Sequence, residues 1–213
     1  MPTWWPPEFS RLDTKPPFKY FAVMPVAVES KKKVWTEAEL EALPEEGYSH
    51  EVVNGELVIS PKNNWFHGDI CAQLLTALKS FADTHHLGAV WDSSTGFWME
   101  NLNCRAPDIS FVCKERLRGL KRREAKFFQG APDLAVEILS PSNTRREVDE
   151  RLADFFSSGA RLAWIIDPDR ELVEICHSPT RRRLLGSGGS FDGEDLLPGF
   201  QYPVADLFKE WEW

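Results

Sequence analysis

The feature of the sequence that most constrains the fold is a short apolar segment that carries one carboxylate. Residues 134–139 read Leu-Ala-Val-Glu-Ile-Leu, and Ser-Pro follows them directly. The length of the segment and its Val, Ile and Leu content are typical of a strand buried on both faces of a sheet. Because an ionised Glu137 would be costly to bury there without a partner, the segment predicts a compensating group. A metal ion, a basic side chain and a raised pKa are the three candidates.

Of these three, only a metal ion predicts further carboxylates near Glu137. Glu51 lies in the first strand of a predicted hairpin, since the Asn-Gly pair that follows it tolerates the positive φ angles of a tight turn. Asp108 follows Pro107, which we expect to open a strand or to lie at a sheet edge. Each acid alone is equally consistent with a turn cap or an ion pair. Together, the three carboxylates would suit a hard divalent cation.

Two predicted helices bring further polar side chains toward these strands. Residues 66–82 carry apolar side chains at helical spacing, and His67 lies on the same stripe, so we expect it to point inward. A histidine in this place is more often a hydrogen-bonded core residue than a ligand or a base. A later helix begins after a Ser-Asn-Thr cap and ends near Gly159, with Arg151 beside its inward stripe. Its exposed face is expected to carry Glu147, Glu150 and Asp154.

Arg151 supplies the main alternative explanation of Glu137. A buried ion pair with Arg151 or another arginine would compensate the carboxylate without any metal, although such pairs repay their desolvation poorly.

The rest of the chain also carries local signals. A capping box at residues 36–39 predicts a short helix, and strands at 162–167 and 172–176 are expected to form a hairpin. The Gly- and Ser-rich residues 186–193 are predicted to form a loop, and the arginines 181–183 a solvated hairpin edge.

Composition narrows the classes of protein. The 213 residues, of which 42% are hydrophobic, can bury one sizeable core. The net charge of -8 argues against a broad, nonspecific affinity for nucleic acid, so that any such contact must be local. The four cysteines are scattered and are expected to be reduced thiols. No apolar stretch is long enough to span a bilayer and the first residues lack a secretory pattern, so the sequence predicts a cytoplasmic protein without a membrane partner.

Several motifs, taken in order, resemble the Uma-type restriction endonucleases, a family within the PD-(D/E)XK nuclease superfamily. The motifs are residues 48–57 around the Asn-Gly turn, the helical His67, the Ala-Pro-Asp segment 106–112, the segment 131–142, and Trp-Ile-Ile-Asp-Pro at 164–168. The resemblance covers residues 33–208. It implies an α/β, restriction-endonuclease-like fold, in which a mixed central sheet is flanked by helices.

The resemblance also implies a site. Asp108 and Glu137 would be the main ligands of a Mg²⁺ or Mn²⁺ ion, and the backbone carbonyl of Ile138 would be the third. Glu51 would be an outer or water-mediated ligand, and His67 would line the same pocket. The protein would then be a hydrolase that cleaves phosphodiester bonds in DNA.

One position departs from the superfamily pattern. Leu139 stands where the superfamily has a lysine that polarises the attacking water, and Arg151 matches the position from which Uma-type families supply that lysine instead. Arginine stays protonated, so it can stabilise a phosphate but cannot accept a proton from water. The sequence therefore leaves two main functions open: a Mg²⁺- or Mn²⁺-dependent DNA endonuclease, and a catalytically impaired protein that binds nucleic acid or another protein. Hydrolysis of a substrate other than nucleic acid fits the acidic charge, but no motif supports it.

The chain is predicted to divide into an N-terminal extension and one folded domain. Residues 1–30 are rich in proline and aromatic residues and are expected to form an extended arm, whereas residues 31–213 form the restriction-endonuclease-like domain. Double-strand cleavage usually needs two sites. The arm, together with Trp211 and Trp213, is therefore a candidate contact surface for a homodimer.

Overall fold

The computed structural model describes residues 34–43, 49–60, 63–121 and 127–212. All of them lie within one compact unit, Lys32–Trp213. The predicted N-terminal extension and Trp213 lie outside the described residues, so the domain boundary stays a prediction.

The described elements are five helices and thirteen strands. The helices are α1 (Glu37–Glu41), α2 (Trp65–Thr84), α3 (Lys114–Leu117), α4 (Arg145–Ser157) and α5 (Val204–Leu207). The strands are β1 (Ser49–Val53), β2 (Glu56–Ser60), β3 (Gly88–Asp92), β4 (Phe97–Trp98), β5 (Cys104–Arg105), β6 (Ile109–Cys113), β7 (Phe128–Gln129), β8 (Leu134–Ile138), β9 (Leu162–Asp167), β10 (Leu172–Cys176), β11 (Arg182–Leu185), β12 (Ser190–Gly193) and β13 (Leu197–Pro203).

The central sheet has six strands in the order β11-β10-β9-β8-β6-β3. Strand β8 runs parallel to β9 and antiparallel to β6, so the sheet is mixed. All five residues of β8 are buried, as the apolar segment predicted. The predicted mixed sheet with flanking helices is therefore confirmed, and the strand that carries Glu137 lies inside it.

The two faces of β8 pack against different helices because successive side chains of a strand point to opposite faces. Leu134, Val136 and Ile138 belong to the apolar core that includes Ile70 and Leu74 of α2. Ala135 lies instead in a second core. The members of that second core from α4 are Val148, Leu152 and Phe155. Glu137 therefore lies on the α4 face of the central sheet.

A second, five-stranded sheet in the order β2-β1-β5-β4-β7 carries Glu51. The predicted hairpin between β1 and β2 is confirmed, with Asn54 at φ 53° and Gly55 at φ 81°. Strand β1 also pairs with β5, where Val52 lies opposite Cys104. The three acids do not lie on one sheet, since Glu51 reaches Asp108 and Glu137 from a neighbouring sheet.

Most local predictions are confirmed. The capping box between Thr36 and Glu39 is present, and β9 pairs with β10 as a hairpin. Residues 186–193 are a loop only in part, because β12 (Ser190–Gly193) pairs with β13 and buries Phe191 against Trp164 with a ring separation of 4.7 Å. All four cysteines are free thiols. Across the described segments, the search for a helix long and apolar enough to cross a membrane found none.

Candidate active site

The acids of the central sheet meet at the end of β8. The register that pairs Ile109 of β6 with Val136 of β8 places Asp108, one residue before β6, beside Glu137. Both acids line a cleft of about 240 Å³. The cleft lining also includes Glu51, Ile138 and Arg151, and hydroxyl or amide residues such as Ser49, Ser93, Ser142 and Asn143. The structure thus brings five of the six predicted site residues to one cleft.

Asp108 is held by two partners through the same oxygen. The Ile138 N–H donates to Asp108 Oδ2 at 2.8 Å, and His67 Nε2 lies 3.2 Å from that oxygen. His67 Nε2 also lies 3.0 Å from Asn63 Nδ2. The inward direction of His67 is confirmed, because its side chain is buried. His67 is not among the described residues that line the cleft. It therefore reaches the site through Asp108.

Glu137 is paired with Arg151. Arg151 Nε donates to Glu137 Oε1 at 2.9 Å, and NH2 forms an ion pair with the same oxygen at 2.7 Å. The NH1 group of Arg151 donates to Glu51 Oε2 at 2.6 Å. Helix α4 makes this contact possible because it places Arg151 beside the buried stripe of Val148 and Leu152. The ion pair that the sequence left as the alternative for Glu137 is present, and the same guanidinium bridges both acids.

Arg151 does not compensate Glu137 fully. The pKa of Glu137 is raised to about 8, first by burial and then by the neighbouring carboxylates Asp108 and Glu51, against the lowering effect of Arg151. The pKa of Arg151 is also raised, because the attraction of Glu137 and Glu51 outweighs its burial. Two of the three compensations considered for Glu137, a basic partner and a raised pKa, therefore operate together.

Two residues that the sequence did not single out complete the cluster. Arg105 NH1 donates to Glu51 Oε2 at 3.3 Å, and Arg105 Nε donates to Asp154 Oδ2 at 2.7 Å. Asp154 was expected on the exposed face of its helix, and this is wrong, because it is buried. The signal available was the position of Asp154 three residues after Arg151, on the same side of α4.

The charge of the cluster is compatible with a divalent cation. Its acids are Glu51, Asp108, Glu137 and Asp154, and its permanent cations are Arg105 and Arg151. With every acid ionised, the carboxylates exceed the guanidinium groups by two charges, which one Mg²⁺ or Mn²⁺ would balance. Oxygen ligands of this kind are those that hard cations prefer.

The ligands available for such a cation are few. Within the described ranges, no group of three or more His, Cys, Asp or Glu side chains is arranged to hold a metal ion. Both oxygens of Glu51 are engaged, Oε1 by the Ala106 N–H at 2.8 Å and Oε2 by the arginines. In contrast, no hydrogen bond from a described residue goes to Asp108 Oδ1 or Glu137 Oε2. These two oxygens and a backbone carbonyl fit the predicted ligand set better than a cage of side chains.

Comparison with solved structures identifies the class of fold. A crystal structure described as "a putative nuclease belonging to DUF820 from Anabaena variabilis ATCC 29413" superposes with a TM-score of 0.72 at 21% identity. The match covers 82% of this chain and 97% of that chain. The chain therefore has the restriction-endonuclease-like fold that the sequence predicted.

The family follows from the sequence match. The model of the Uma2 family, described as "Putative restriction endonuclease", matches residues 37–205, which is most of the chain. The chain belongs to this family, and family and fold together support a nuclease. A search of curated proteins found no match. The roles of the individual site residues are not decided by these comparisons and remain predictions.

Proposed function

We propose that the protein is a Mg²⁺- or Mn²⁺-dependent DNA endonuclease and that its active site is the cleft at the end of β8. The observation that carries the proposal is the direct juxtaposition of Asp108 and Glu137, two acids from adjacent strands, with an excess of negative charge around them. Family membership supports a nucleic acid as the substrate. The choice of DNA rather than RNA rests on the resemblance to restriction endonucleases.

Asp108, Glu137 and the backbone carbonyl of Ile138 would hold the cation. A bound Mg²⁺ or Mn²⁺ would supply Lewis-acid activation of water and would offset charge on the phosphate. The Ile138 N–H and His67 both contact Oδ2 of Asp108, so they fix the carboxylate and leave its Oδ1 for the cation. Glu51 contacts the site through Arg151, which suits an outer role and not direct coordination.

Arg151 is the residue placed to contact the substrate. Its side chain is 19% exposed, and it lines the cleft. A guanidinium offers five donors in a planar fork and binds phosphate oxygens in pairs, so Arg151 would steady the scissile phosphate. Because it remains protonated, the proton of the attacking water must go to solvent or to His67. His67 reaches the cleft through Asp108, which favours solvent as the acceptor.

A second candidate function follows from the contacts of Arg151. The fork that would bind phosphate is already bonded to Glu137 and Glu51. If Arg151 stays bonded to Glu137 and Glu51, the protein would not cleave nucleic acid. It would then keep the nuclease scaffold as a nucleic-acid-binding or protein-interaction module. This candidate predicts weak metal binding that Asp108→Asn does not change.

A nicking assay on supercoiled plasmid separates the two candidates. We expect the full chain to nick DNA with Mg²⁺ or Mn²⁺, to stop when a chelator is added, and to be inactive as Asp108→Asn or Glu137→Ala. Glu174→Gln is the matched control, because Glu174 is also a buried acid of the central sheet but bonds to Arg145 and Arg182 away from the cleft. Cutting that survives Glu137→Ala would remove this cleft from consideration.

The cellular location and the assembly state complete the proposal. We expect a cytoplasmic location. We also expect a homodimer, because cleavage of both strands of DNA usually needs two active sites. The ring of Trp211 lies 5.3 Å from that of Trp65, and both side chains are more than half exposed, at 51% and 72%. Equilibrium sedimentation with and without residues 1–23 tests the arm, and an unchanged mass would remove it from the dimer contact.

A further inference from the structure

Asp154 accepts hydrogen bonds from the side chains of Asn101, Asn103 and Arg105, although it is not among the residues that line the cleft. Arg105 Nε donates to Asp154 Oδ2 at 2.7 Å, and Arg105 NH2 forms an ion pair with the same oxygen at 2.6 Å. Asn103 Nδ2 donates to the same oxygen at 2.9 Å, and Asn101 Nδ2 donates to Oδ1 at 2.7 Å. Asp154 and Arg105 are both buried. The acid is therefore fixed by side chains of the second sheet and of the turn before β5.

Arg105 connects this acid to the proposed active site. Its NH1 group donates to Glu51 Oε2, the oxygen that also accepts from Arg151 NH1. Arg151 and Asp154 lie three residues apart on α4, on one side of the helix. The contacts therefore form a closed ring that runs from α4 through Asp154, Arg105 and Glu51 and back to α4 through Arg151.

Such a ring is a poor source of stability. Removing several charges from water costs much of what their attraction returns, and apolar side chains of similar volume often stabilise a protein equally well. What a ring of guanidinium forks and carboxylates does provide is fixed geometry, because each fork bonds in a defined plane. Glu51 and Arg151 are the members of the ring that line the cleft, and of these two only Arg151 can donate to a phosphate.

We propose that Arg105 and Asp154 are positioning residues that hold Glu51, and through it the guanidinium of Arg151, in the orientation that the cleft requires. The importance of this orientation for cleavage rests on the proposed function. The orientation itself does not, and a measurement on the metal-free protein detects it.

Helix α4 carries a second network that serves as a control. Arg145 and Arg182 both donate to Glu174 Oε2 at 3.3 Å, and both contact Asp149 Oδ1, at 3.2 and 2.7 Å. This network also fastens α4 to the central sheet, but it does not include Glu51 or Arg151. A change that merely loosens α4 should therefore act equally when either network is broken.

The test is proton exchange at the Arg151 Nε–H group, followed by NMR on the full-length, metal-free protein. This group donates to Glu137 at 2.9 Å, and its signal is identified by its loss in Arg151→Lys. We expect Asp154→Asn to speed the exchange about tenfold, as for the loss of one charge-assisted hydrogen bond. We expect Glu174→Gln to leave it unchanged. Equal rates in Asp154→Asn and the wild type, or equal acceleration in Glu174→Gln, would overturn the proposal.

A second variant guards against a failure of Asp154→Asn to fold. Arg105→Lys keeps the positive charge but loses the planar fork, whose Nε and NH1 groups reach Asp154 and Glu51 separately. It should accelerate the exchange in the same way, and an unchanged rate would count against the proposal. If the wild type cleaves plasmid, both variants should lower kcat with little change in KM. If it does not cleave, the proposed function fails while the exchange rates still decide the positioning role.

Discussion

Two buried acids on the same face of the central strand, Asp133 and Glu137, show opposite ways of burying a carboxylate. Asp133 lies just before β8 and accepts from the Cys113 N–H at 2.8 Å and from Arg116 NH1 at 3.3 Å. Both partners are donors. Glu137, four residues later, has one arginine as its partner and two further carboxylates nearby, and its pKa rises to about 8.

The difference separates a structural acid from a functional one. Hydrogen-bonding requirements of the fold explain Asp133 completely, since its carboxylate satisfies a backbone N–H at the junction of β6 and α3. Among the described residues, no backbone N–H donates to the Glu137 carboxylate, and that carboxylate is close enough to Asp108 and Glu51 for their charges to raise its pKa. A carboxylate kept in such surroundings is a candidate for a role that the fold alone does not require.

The two acids should differ most in their effect on the rate of DNA nicking. Glu137→Gln should lower the nicking rate on the order of a thousandfold, because the metal contribution it supports is worth several kcal/mol. Asp133→Asn should leave the rate per folded molecule within about threefold, a change of under 1 kcal/mol. The measurement is plasmid nicking at a temperature where both variants are folded. Similar losses of nicking activity in the two variants would show that Glu137 is no more important for catalysis than Asp133.

The order of the two variants should be reversed for stability, with the larger loss in Asp133→Asn. Asp133→Asn should lower the free energy of unfolding by about 2 to 3 kcal/mol, since it weakens charge-assisted bonds to a backbone N–H and an arginine. Glu137→Gln should change it by less than about 1 kcal/mol at pH 7, where the raised pKa already keeps most of Glu137 protonated in the metal-free protein. Urea unfolding in the presence of a chelator measures both. A larger loss in Glu137→Gln than in Asp133→Asn would contradict the assignment.

The smallest effect concerns pH. The folded, metal-free protein holds the Glu137 proton to a pKa of about 8, against an ordinary value of 4.5. The stability that this proton contributes is therefore complete below pH 4.5 and is lost as the pH rises toward 8. Its slope is at most about 1.4 kcal/mol per pH unit. Unfolding free energies at pH 6 and pH 7.5 should differ more in the wild type than in Glu137→Gln, and equal slopes would refute the raised pKa.

What the sequence could predict was set by local patterns. The strand β8 and the turn at Asn54 follow from apolar content and from backbone conformations that few residues tolerate, so both were predictable without a fold. The position of Glu51 on a second sheet was not, because the pairing of β1 with β5 joins residues about fifty positions apart. Helical spacing from Arg151 indicated the side of α4 on which Asp154 lies, but it could not reveal the partners that bury Asp154, since Arg105 and Asn103 lie equally far away in the chain.

The residues that form the candidate site could be predicted from the sequence, but most of the contacts among them could not. Asp108 and Glu137 were paired by motif, and the sheet register places them side by side. The bridge that Arg151 forms between Glu137 and Glu51 depends on the packing of α4 against the sheet. No pattern within one segment determines a contact of that kind.

The decisive measurement for a metal at the end of β8 is anomalous diffraction from a crystal grown with Mn²⁺. We expect an anomalous peak in the cleft, coordinated by the carboxylates of Asp108 and Glu137 and by the carbonyl of Ile138, with Arg151 beside it. A crystal at saturating Mn²⁺ that has no peak between Asp108 and Glu137, and in which Arg151 remains the only cation bonded to Glu137, would contradict the assignment of this cleft as a metal-dependent active site.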